Sequence, residues 1–210
     1  MGWVSAGWAG VVVMAYLIGS IPFAYLAGRA FKGKDIREEG DRNPGAGNAY
    51  RIIGPKVGLA VGVADIGKGA VAVLVARGLT SNMGVEMLAG AVVVAGHNWP
   101  VFSQFRGGRG AASTVGVLMA LMPMPAVTIS LAAAATLPFS KSATRTIGLV
   151  MIPMPLLAWL TGASYVLVVY SVGLPVGVGV RHYLTSRNLP RMEVDQVGAD
   201  QAEAQALPNG

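Results

Sequence analysis

Apolar segments of nearly membrane-spanning length alternate with short polar blocks along most of this chain. A helix needs about 20 predominantly apolar residues to cross the hydrocarbon core of a bilayer. The pattern therefore predicts an all-α fold, a polytopic membrane helical bundle. The predicted apolar segments are residues 3–30, 57–77, 84–102, 111–138, 146–160 and 163–180.

The segment at 111–138 is interrupted by Pro123 and Pro125. Proline breaks a helix, and each half has roughly 13 residues, fewer than an untilted span requires. We count the halves as short, Pro-broken fourth and fifth spans, which gives about seven spans. A tilted pair and a re-entrant hairpin both fit this pattern, because either returns the chain to the same side.

Positive charge in the polar segments orients the predicted bundle, because Lys and Arg favour cytoplasmic loops. If the loop at 32–56 is cytoplasmic, the loops at 103–110 and 141–145 and the C-terminal tail are cytoplasmic as well. Arg29, at the end of the first segment, adjoins the loop at 32–56, and of the other 15 Lys and Arg residues only Lys68 and Arg77 then lie elsewhere. We therefore expect the N-terminus outside and the C-terminus in the cytoplasm.

Composition favours a membrane protein over a soluble one. Of the 210 residues, 53% are hydrophobic and 12% are charged, whereas soluble domains average about 25% charged residues. The chain has no cysteine and two histidines, which excludes disulfides and thiolate chemistry and argues against a zinc site. No Lys or Arg precedes the apolar N-terminus, unlike a secretory signal peptide, so we interpret it as a retained span. We expect one transmembrane domain over residues 1–191 and a polar, disordered tail over 192–210.

Two polar blocks rich in Gly, Arg and Asn interrupt the apolar pattern, at residues 35–51 and 96–110. Arg presents a permanently charged fork of donors, and Gly lets backbone N–H groups approach an anion. The second block ends in glycines just before a predicted helix, and a helix N-terminus attracts anions. The blocks therefore favour phosphate binding. The alternative is a tight glycine turn whose arginines anchor to lipid headgroups.

Asp65 and Lys68 introduce two charges inside the second predicted span. Their spacing of three residues puts both side chains on one helix face. A charge at mid-membrane costs roughly 2.5–3.5 kcal/mol, so such residues usually pair or serve a function. Either the two form a structural ion pair, or Asp65 neutralises Lys68 and fixes it toward a phosphate.

The histidines and asparagines carry weaker signals taken singly. His97 lies near the cytoplasmic end of the third predicted span and His182 near the end of the last. A single histidine is more often a structural hydrogen-bonding group than a catalyst. Asn43 and Asn48 flank a Pro-Gly turn and can act as turn caps.

Together the polar blocks resemble those of the bacterial integral-membrane acyl-phosphate:glycerol-3-phosphate acyltransferases. The family's Gly-Ser-Ile-Pro is present at 19–22, and its Asp-x-x-Lys-Gly at 65–69. Its block Asp-x-Arg-x-x-Gly-Ser-Gly-Asn-x-Gly-Ala-Thr-Asn-x-x-Arg is matched at 35–51. Its Gly-His-x-x-Pro-x-Phe and Phe-x-Gly-Gly-Lys-Gly are matched at 96–102 and 105–110.

The resemblance implies a reaction in which acyl phosphate gives its acyl chain to the 1-hydroxyl of glycerol 3-phosphate. The products would be lysophosphatidate and inorganic phosphate. The reaction would be the first step of phospholipid synthesis, and it would take place at the cytoplasmic face of a bacterial inner membrane. No cofactor and no metal is implied. The expected partners are the two substrates, membrane lipid and the enzyme that supplies acyl phosphate. Nucleic acid is not expected, because the charge of +6 lies beside the spans.

The resemblance also implies which residues form the site. Those expected to be catalytic are Arg51, Lys68, Arg109 and His182. Those expected to bind substrate are Arg37, Asp41, Asn43, Asn48, Asp65, His97, Gly107, Gly108 and Gly110. No Ser-His-Asp set is evident, so we expect a substrate phosphate to accept the hydroxyl proton.

Several positions depart from the family pattern. Asp41 and Arg42 replace its Ser and Gly, Gly47 its Thr and Arg109 its Lys. The family's His-x-x-Asn near the end of the last span is matched at 182–185, with Thr185 in place of the Asn. A carboxylate at position 41 should repel a phosphate unless Arg42 neutralises it. These departures leave two alternatives open, a related transferase with another acceptor or donor and a homologue without turnover. The Pro-broken pair at 111–138 leaves open a third, a transporter of small phosphorylated anions.

Overall fold

The computed structural model describes residues 2–136 and 143–187, and all the regular secondary structure in those ranges is helical. The predicted tail at 192–210 lies outside the described residues, as does part of the predicted loop at 141–145. The helices are α1 (Gly2–Gly19), α2 (Phe23–Lys32), α3 (Ala46–Ile52), α4 (Pro55–Thr80), α5 (Met83–Asn98), a 3-10 turn (Val101–Ser103), α6 (Ala111–Leu121), α7 (Pro123–Ala135), α8 (Ala143–Met151), α9 (Met154–Leu160) and α10 (Tyr165–Ser186).

Prolines divide three of the predicted apolar segments. The first segment forms α1 and α2, which separate just before Pro22, and the fifth segment, 146–160, forms most of α8 and α9, which separate at Pro153. A proline has no N–H to donate to the preceding turn, so the helix ends there. The segment at 111–138 forms α6 and α7, which meet at Pro123 as the sequence predicted.

The first polar block contains a short helix, α3, that the sequence pattern did not predict. Ala49 of α3 is completely buried and belongs to a small apolar cluster with Ala24, Ile36 and Val61. That cluster joins α3 to α2 and α4. The block is therefore folded back onto the helices instead of extending away from them.

Helix α4 packs against α1, α3, α5 and α6, so it lies at the centre of the bundle. Where α4 crosses α6, a Cβ at Gly69 would overlap the carbonyl oxygen of Ser113, and one at Gly116 would overlap that of Ile66. Small residues allow this close approach of helix backbones in membrane proteins. Glycine on both sides fixes the crossing that brings the two helices of the site together.

Large apolar side chains lie mostly on the outside of the bundle, and small ones fill its interior. The main core contains Ala72, Val73 and Ala89, whereas Ile152 and Tyr165 are more than four-fifths exposed. Soluble proteins rarely expose contiguous apolar surface on this scale, because water solvates it poorly. Lipid tails would solvate it well.

Three helical segments are long and apolar enough to cross a membrane by length and composition: Gly7–Lys32, Pro55–Thr80 and Tyr165–Ser186. Shorter apolar helices occupy Ala111–Leu121, Pro123–Ala135 and Thr146–Leu160. Each of the six overlaps a segment that hydropathy predicted, and the three long helical segments extend beyond the predicted bounds by two to six residues at one or both ends. The third predicted segment, 84–102, forms α5 and the 3-10 turn after it.

The two ends of the bundle differ in their polar contacts. At the end formed by the C-termini of α4 and α6, Arg77 donates to Glu86 Oε2 (2.9 Å) and to the carbonyl of Ala120 (2.9 Å). These contacts tie α4, α5 and α6 together. The two polar blocks lie at the opposite end of the same helices, where α6 begins and α5 ends.

Candidate active site

A cavity of about 500 Å³ opens where the first polar block meets the beginning of α6 and the last turns of α10. Eight of the residues predicted for the site line it. They are Asp41, Asn43, Arg51, Asp65, His97, Arg109, Gly110 and His182. The sequence therefore identified most of the polar lining.

The same cavity has an apolar wall made by α8, α9 and α10. Helix α10 lines it from Ser171 to His182, a distance of about 16 Å at 1.5 Å per residue. The apolar lining of this wall includes Ile147, Met151, Ile152, Pro155, Val172, Pro175, Val176 and Val178. A cavity with charged groups at one end and aliphatic groups at the other suits a ligand with a charged head and a hydrocarbon chain.

The carboxylate of Asp41 lies between two arginines. Its Oδ2 is 2.8 Å from NH2 of Arg51 and 3.5 Å from NH1 of Arg109. Arg51 belongs to α3 and Arg109 to the loop before α6, so Asp41 joins the two polar blocks. Burial lowers the pKa of Arg109, Asp41 opposes this shift, and Arg51 adds to it. Both guanidinium groups line the cavity.

Asn48 shapes the first polar block from the inside. Its side chain is completely buried, and Nδ2 donates to the carbonyls of Ile36 (3.1 Å) and Glu39 (2.9 Å). Its Oδ1 accepts a hydrogen bond from the backbone N–H of Asp41 (3.3 Å). Asn48 therefore fixes the backbone that presents the Asp41 carboxylate. Its predicted contact with substrate stays a prediction.

Arg37 ties the first block to the second, outside the cavity lining. Its Nε and NH2 donate to the carboxylate of Asp35 (2.9 and 2.7 Å), and its NH1 donates to the carbonyl of Ser103 (2.8 Å). The guanidinium also lies over the ring of Tyr25. Hydrogen bonding from Arg37 lowers the pKa of Asp35 to about 2. These contacts describe a structural brace, and substrate binding by Arg37 stays a prediction.

Asp65 is the centre of a buried charged cluster. Its Oδ1 is 2.8 Å from Nζ of Lys68 and 3.4 Å from Nδ1 of His97, and all three residues are buried. Nζ of Lys68 also donates to the carbonyl of Ile21 (3.1 Å), at the break between α1 and α2. The ion pair that the sequence allowed is present. Asp65 and His97 face the cavity, while Lys68 lies behind them.

The glycines of the second block serve close packing. The N–H of Gly108 donates to the carbonyl of His97 (3.1 Å), and a Cβ at Gly108 would overlap the imidazole ring. A Cβ at Gly107 would overlap the same carbonyl. Gly110 has a φ of 83° and starts α6 at the cavity. The first N–H groups of a helix have no acceptor within it, so this end of α6 can donate to an anion.

Sequence reasoning assigned no role to two side chains of α10 that border the site. Thr185 accepts a hydrogen bond from Nε of Arg109 (3.4 Å). Arg181 donates to the carbonyl of Asn98 (3.2 Å) and lies over the ring of Trp99. Their position beside His182, at the basic end of an apolar segment, is the sequence feature that could have indicated a place near the site. The apolar wall offered no signal, because every span of this chain is apolar.

A family model described as glycerol-3-phosphate acyltransferase matches residues 9–191. The chain belongs to the glycerol-3-phosphate acyltransferase family. Glycerol-3-phosphate acyltransferase 4 of Dehalococcoides mccartyi is 40% identical over 176 residues, which cover 84% of this chain and 95% of that protein. A glycerol-3-phosphate acyltransferase of Pseudomonas paraeruginosa is 43% identical over 152 residues, which cover 71% of this chain and 79% of the relative.

Solved structures of the family have the same fold. PlsY (YgiH), an integral membrane glycerol 3-phosphate acyltransferase, was crystallised in a glycerol 3-phosphate form that matches with a TM-score of 0.74 at 28% identity. This match covers 90% of the present chain and 98% of that structure. Its lysophosphatidic acid form matches with a TM-score of 0.71 at 26% identity, over 91% and 98% of the two chains. The predicted family and membrane-embedded helical bundle are confirmed.

Proposed function

We propose that this protein transfers an acyl group from acyl phosphate to the 1-hydroxyl of glycerol 3-phosphate, releasing lysophosphatidate and inorganic phosphate. The observation that carries the proposal is the single cavity in which Arg51, Arg109 and His182 face a long apolar wall. Both proposed substrates are phosphorylated, and the donor also carries a hydrocarbon chain. The names of the family relatives specify the same acceptor.

In the proposed reaction, the 1-hydroxyl oxygen attacks the carbonyl carbon of the acyl phosphate. The bond between that carbon and the phosphate oxygen breaks, and the phosphate leaves with both electrons. A substrate phosphate accepts the hydroxyl proton, so no side chain needs to act as the base. The donor is already activated, so the protein mainly positions two molecules and stabilises developing negative charge.

Each part of the cavity has a proposed task in this reaction. Arg51 and Arg109 bind the phosphate groups and stabilise the leaving one, because their guanidinium groups converge there. Gly110 starts α6 at the same place and adds backbone donors. His182 contacts the substrates from α10. The Asp65 cluster holds α4 against α5 beneath them, through Lys68 and His97.

The membrane arrangement is part of the proposal. We take α1 with α2 as one span, α8 with α9 as another, and α4, α5, α6, α7 and α10 as one span each, seven in all. The N-terminus lies outside and the C-terminus in the cytoplasm, which follows the distribution of Lys and Arg. Residues 1–191 form one domain and 192–210 a tail. The site then faces the cytoplasm of a bacterial inner membrane, where the enzyme that supplies acyl phosphate can deliver it.

The decisive experiment supplies purified full-length protein in detergent with palmitoyl phosphate and glycerol 3-phosphate. We expect acceptor-dependent release of phosphate together with lysophosphatidate, measured by mass spectrometry. Arg51→Ala should reduce the rate about 100-fold, because preorganised charge at a leaving group is worth that much. Lys34→Ala is the matched control: it removes an exposed cation that pairs with Glu39 outside the cavity.

Three results would contradict the proposal in different ways. Phosphate release no faster than in Arg51→Ala would indicate a homologue without turnover. Activity with a coenzyme A thioester but not with acyl phosphate would indicate another donor. Uptake of glycerol 3-phosphate into proteoliposomes without product would indicate a transporter.

A further inference from the structure

Three of the positions at which this chain departs from its family pattern are joined by side-chain contacts, and two of them, Asp41 and Arg109, line the cavity. Asp41 stands where the family has Ser, and its Oδ2 is 3.5 Å from NH1 of Arg109. Arg109 stands where the family has Lys, and its Nε donates to Oγ1 of Thr185 (3.4 Å). Thr185 stands where the family has Asn. Since these positions are far apart in the sequence, only the fold makes them one cluster.

The carboxylate of Asp41 uses the same donors that a phosphate would use. Its Oδ2 contacts the guanidinium groups of both Arg51 and Arg109, and all three side chains line the cavity. Carboxylate and phosphate oxygens are both bound by the planar fork of arginine. The local charge of these three groups is one positive unit, whereas two arginines alone would present two. A phosphate entering this position therefore competes with a negative charge that is already there.

We propose that Asp41 is an internal anion that occupies the phosphate position between Arg51 and Arg109 until a substrate phosphate displaces it. This inference concerns the same site and rests on the proposed function only for the identity of the incoming anion. While the carboxylate occupies the position, only the remaining fraction of the molecules can bind phosphate. The apparent affinity for every phosphate ligand is therefore reduced by the same factor. Ligands with further contacts, such as a hydrocarbon chain along α8–α10, still bind well. Free inorganic phosphate, the proposed product, has none and leaves.

The geometry allows the carboxylate to move while the loop stays fixed. The backbone N–H of Asp41 is held by Asn48 (3.3 Å), and Oδ1 accepts from the N–H of Asn43 (3.2 Å). The side chain is about one-third exposed, whereas Asn48 is completely buried. Rotation of the Asp41 side chain would release both guanidinium groups without disturbing the buried amide.

The test is equilibrium binding of inorganic phosphate to the purified full-length protein and its Asp41→Asn variant. Asparagine removes the charge but keeps a side-chain oxygen that can accept from the N–H of Asn43. We expect the Kd for phosphate to fall about tenfold or more, and inhibition of acyl transfer by phosphate to strengthen equally. Glu38→Gln is the matched control, because Glu38 makes its ion pair with Arg106 on the surface. Its Kd should not change.

An unchanged or weaker affinity in Asp41→Asn would overturn the inference, since Asp41 would then hold the arginines in place instead of competing for them. Asp41→Ser supplies a second variant if the first does not fold, and the same fall in Kd is expected. Binding does not require turnover, so the two proposals fail separately. Tighter phosphate binding in the variants of a protein without acyltransferase activity would support the internal anion and contradict the proposed function. Normal turnover with an unchanged Kd for phosphate would support the proposed function and contradict the internal anion.

Discussion

Asp65 and Lys68 illustrate how a buried charge is tolerated in this bundle. Both side chains are buried, and their opposite charges compensate each other. His97 also contacts the Asp65 carboxylate, and Lys68 also donates to the carbonyl of Ile21. The spacing in the sequence predicted the pair, because residues three apart share a helix face. It did not predict Ile21, whose carbonyl reaches Lys68 only because the chain breaks before Pro22.

Removing one partner of this pair should be costly. In Lys68→Met the carboxylate of Asp65 stays buried with only His97 beside it, so we expect a loss of about 3–5 kcal/mol in the free energy of unfolding. The measurement is denaturant unfolding in detergent. Lys56→Met, an exposed position at the start of the same helix, is the control and should change little. Equal stability of the two variants would contradict a structural role for the pair.

At the scale of helices, proline and glycine determine how the elements end and cross. Prolines produce the breaks that separate α1 from α2 and α8 from α9. Glycines allow α4 and α6 to approach until backbone meets backbone. The N-terminus of α6 is thereby brought beside Asp65 of α4. Proline and glycine have no reactive side chains, yet they determine where the site lies.

The crossing of α4 and α6 can be tested with two glycines of one helix. A Cβ at Gly69 would overlap the carbonyl oxygen of Ser113, whereas a Cβ at Gly67 meets no atom within 4 Å. We expect Gly69→Ala to lower the Tm by several degrees and to reduce activity. Gly67→Ala should leave the Tm unchanged or raise it, since alanine favours a helix by about 1 kcal/mol over glycine. A similar Tm for both variants would mean that the crossing adjusts freely.

At the scale of the whole molecule, three segments with little chemistry of their own close the apolar side of the site. Helices α8, α9 and α10 provide Ile147, Pro155 and Val176, respectively, which line the cavity. We take this wall as the binding surface for the acyl chain. Its extent should then determine which chain lengths are accepted.

Filling the wall should shift the preference toward shorter acyl chains. Gly148 of α8 lines the cavity, and a Cβ there meets no atom within 4 Å, so Gly148→Leu adds bulk to the cavity. We expect kcat/KM for palmitoyl phosphate to fall about tenfold relative to decanoyl phosphate, the effect of overfilling a packed site. Gly173→Leu on α10, which also meets no atom and lies outside the lining, should keep the wild-type ratio. An unchanged ratio in Gly148→Leu would argue against chain binding along this wall.

The orientation of the bundle is open to a direct labelling test. The chain has no cysteine, so single cysteines can be introduced without background. With an impermeant maleimide on intact spheroplasts, Ser81→Cys, in the turn between α4 and α5, should be labelled. Lys34→Cys, after α2, should be labelled only once the membrane is opened. The reverse pattern would place the site on the outer face.

The sequence was enough to predict the features that depend on local composition. Apolar length predicted the helices, proline predicted where 111–138 breaks, and the order of the polar motifs identified the family. It also identified most of the polar residues of the cavity, including Arg51, Arg109 and His182. These properties belong to short stretches of chain, so they can be predicted without knowledge of the fold.

The contacts of those residues depend on the tertiary structure. It turned Arg37 and Asn48 into braces of the first block, and it brought Asp41 between two arginines from different blocks. It also selected one apolar wall among many apolar helices. The physical reason is that these contacts join residues far apart in the sequence, and their convergence depends on where helices cross and how closely glycine lets them approach.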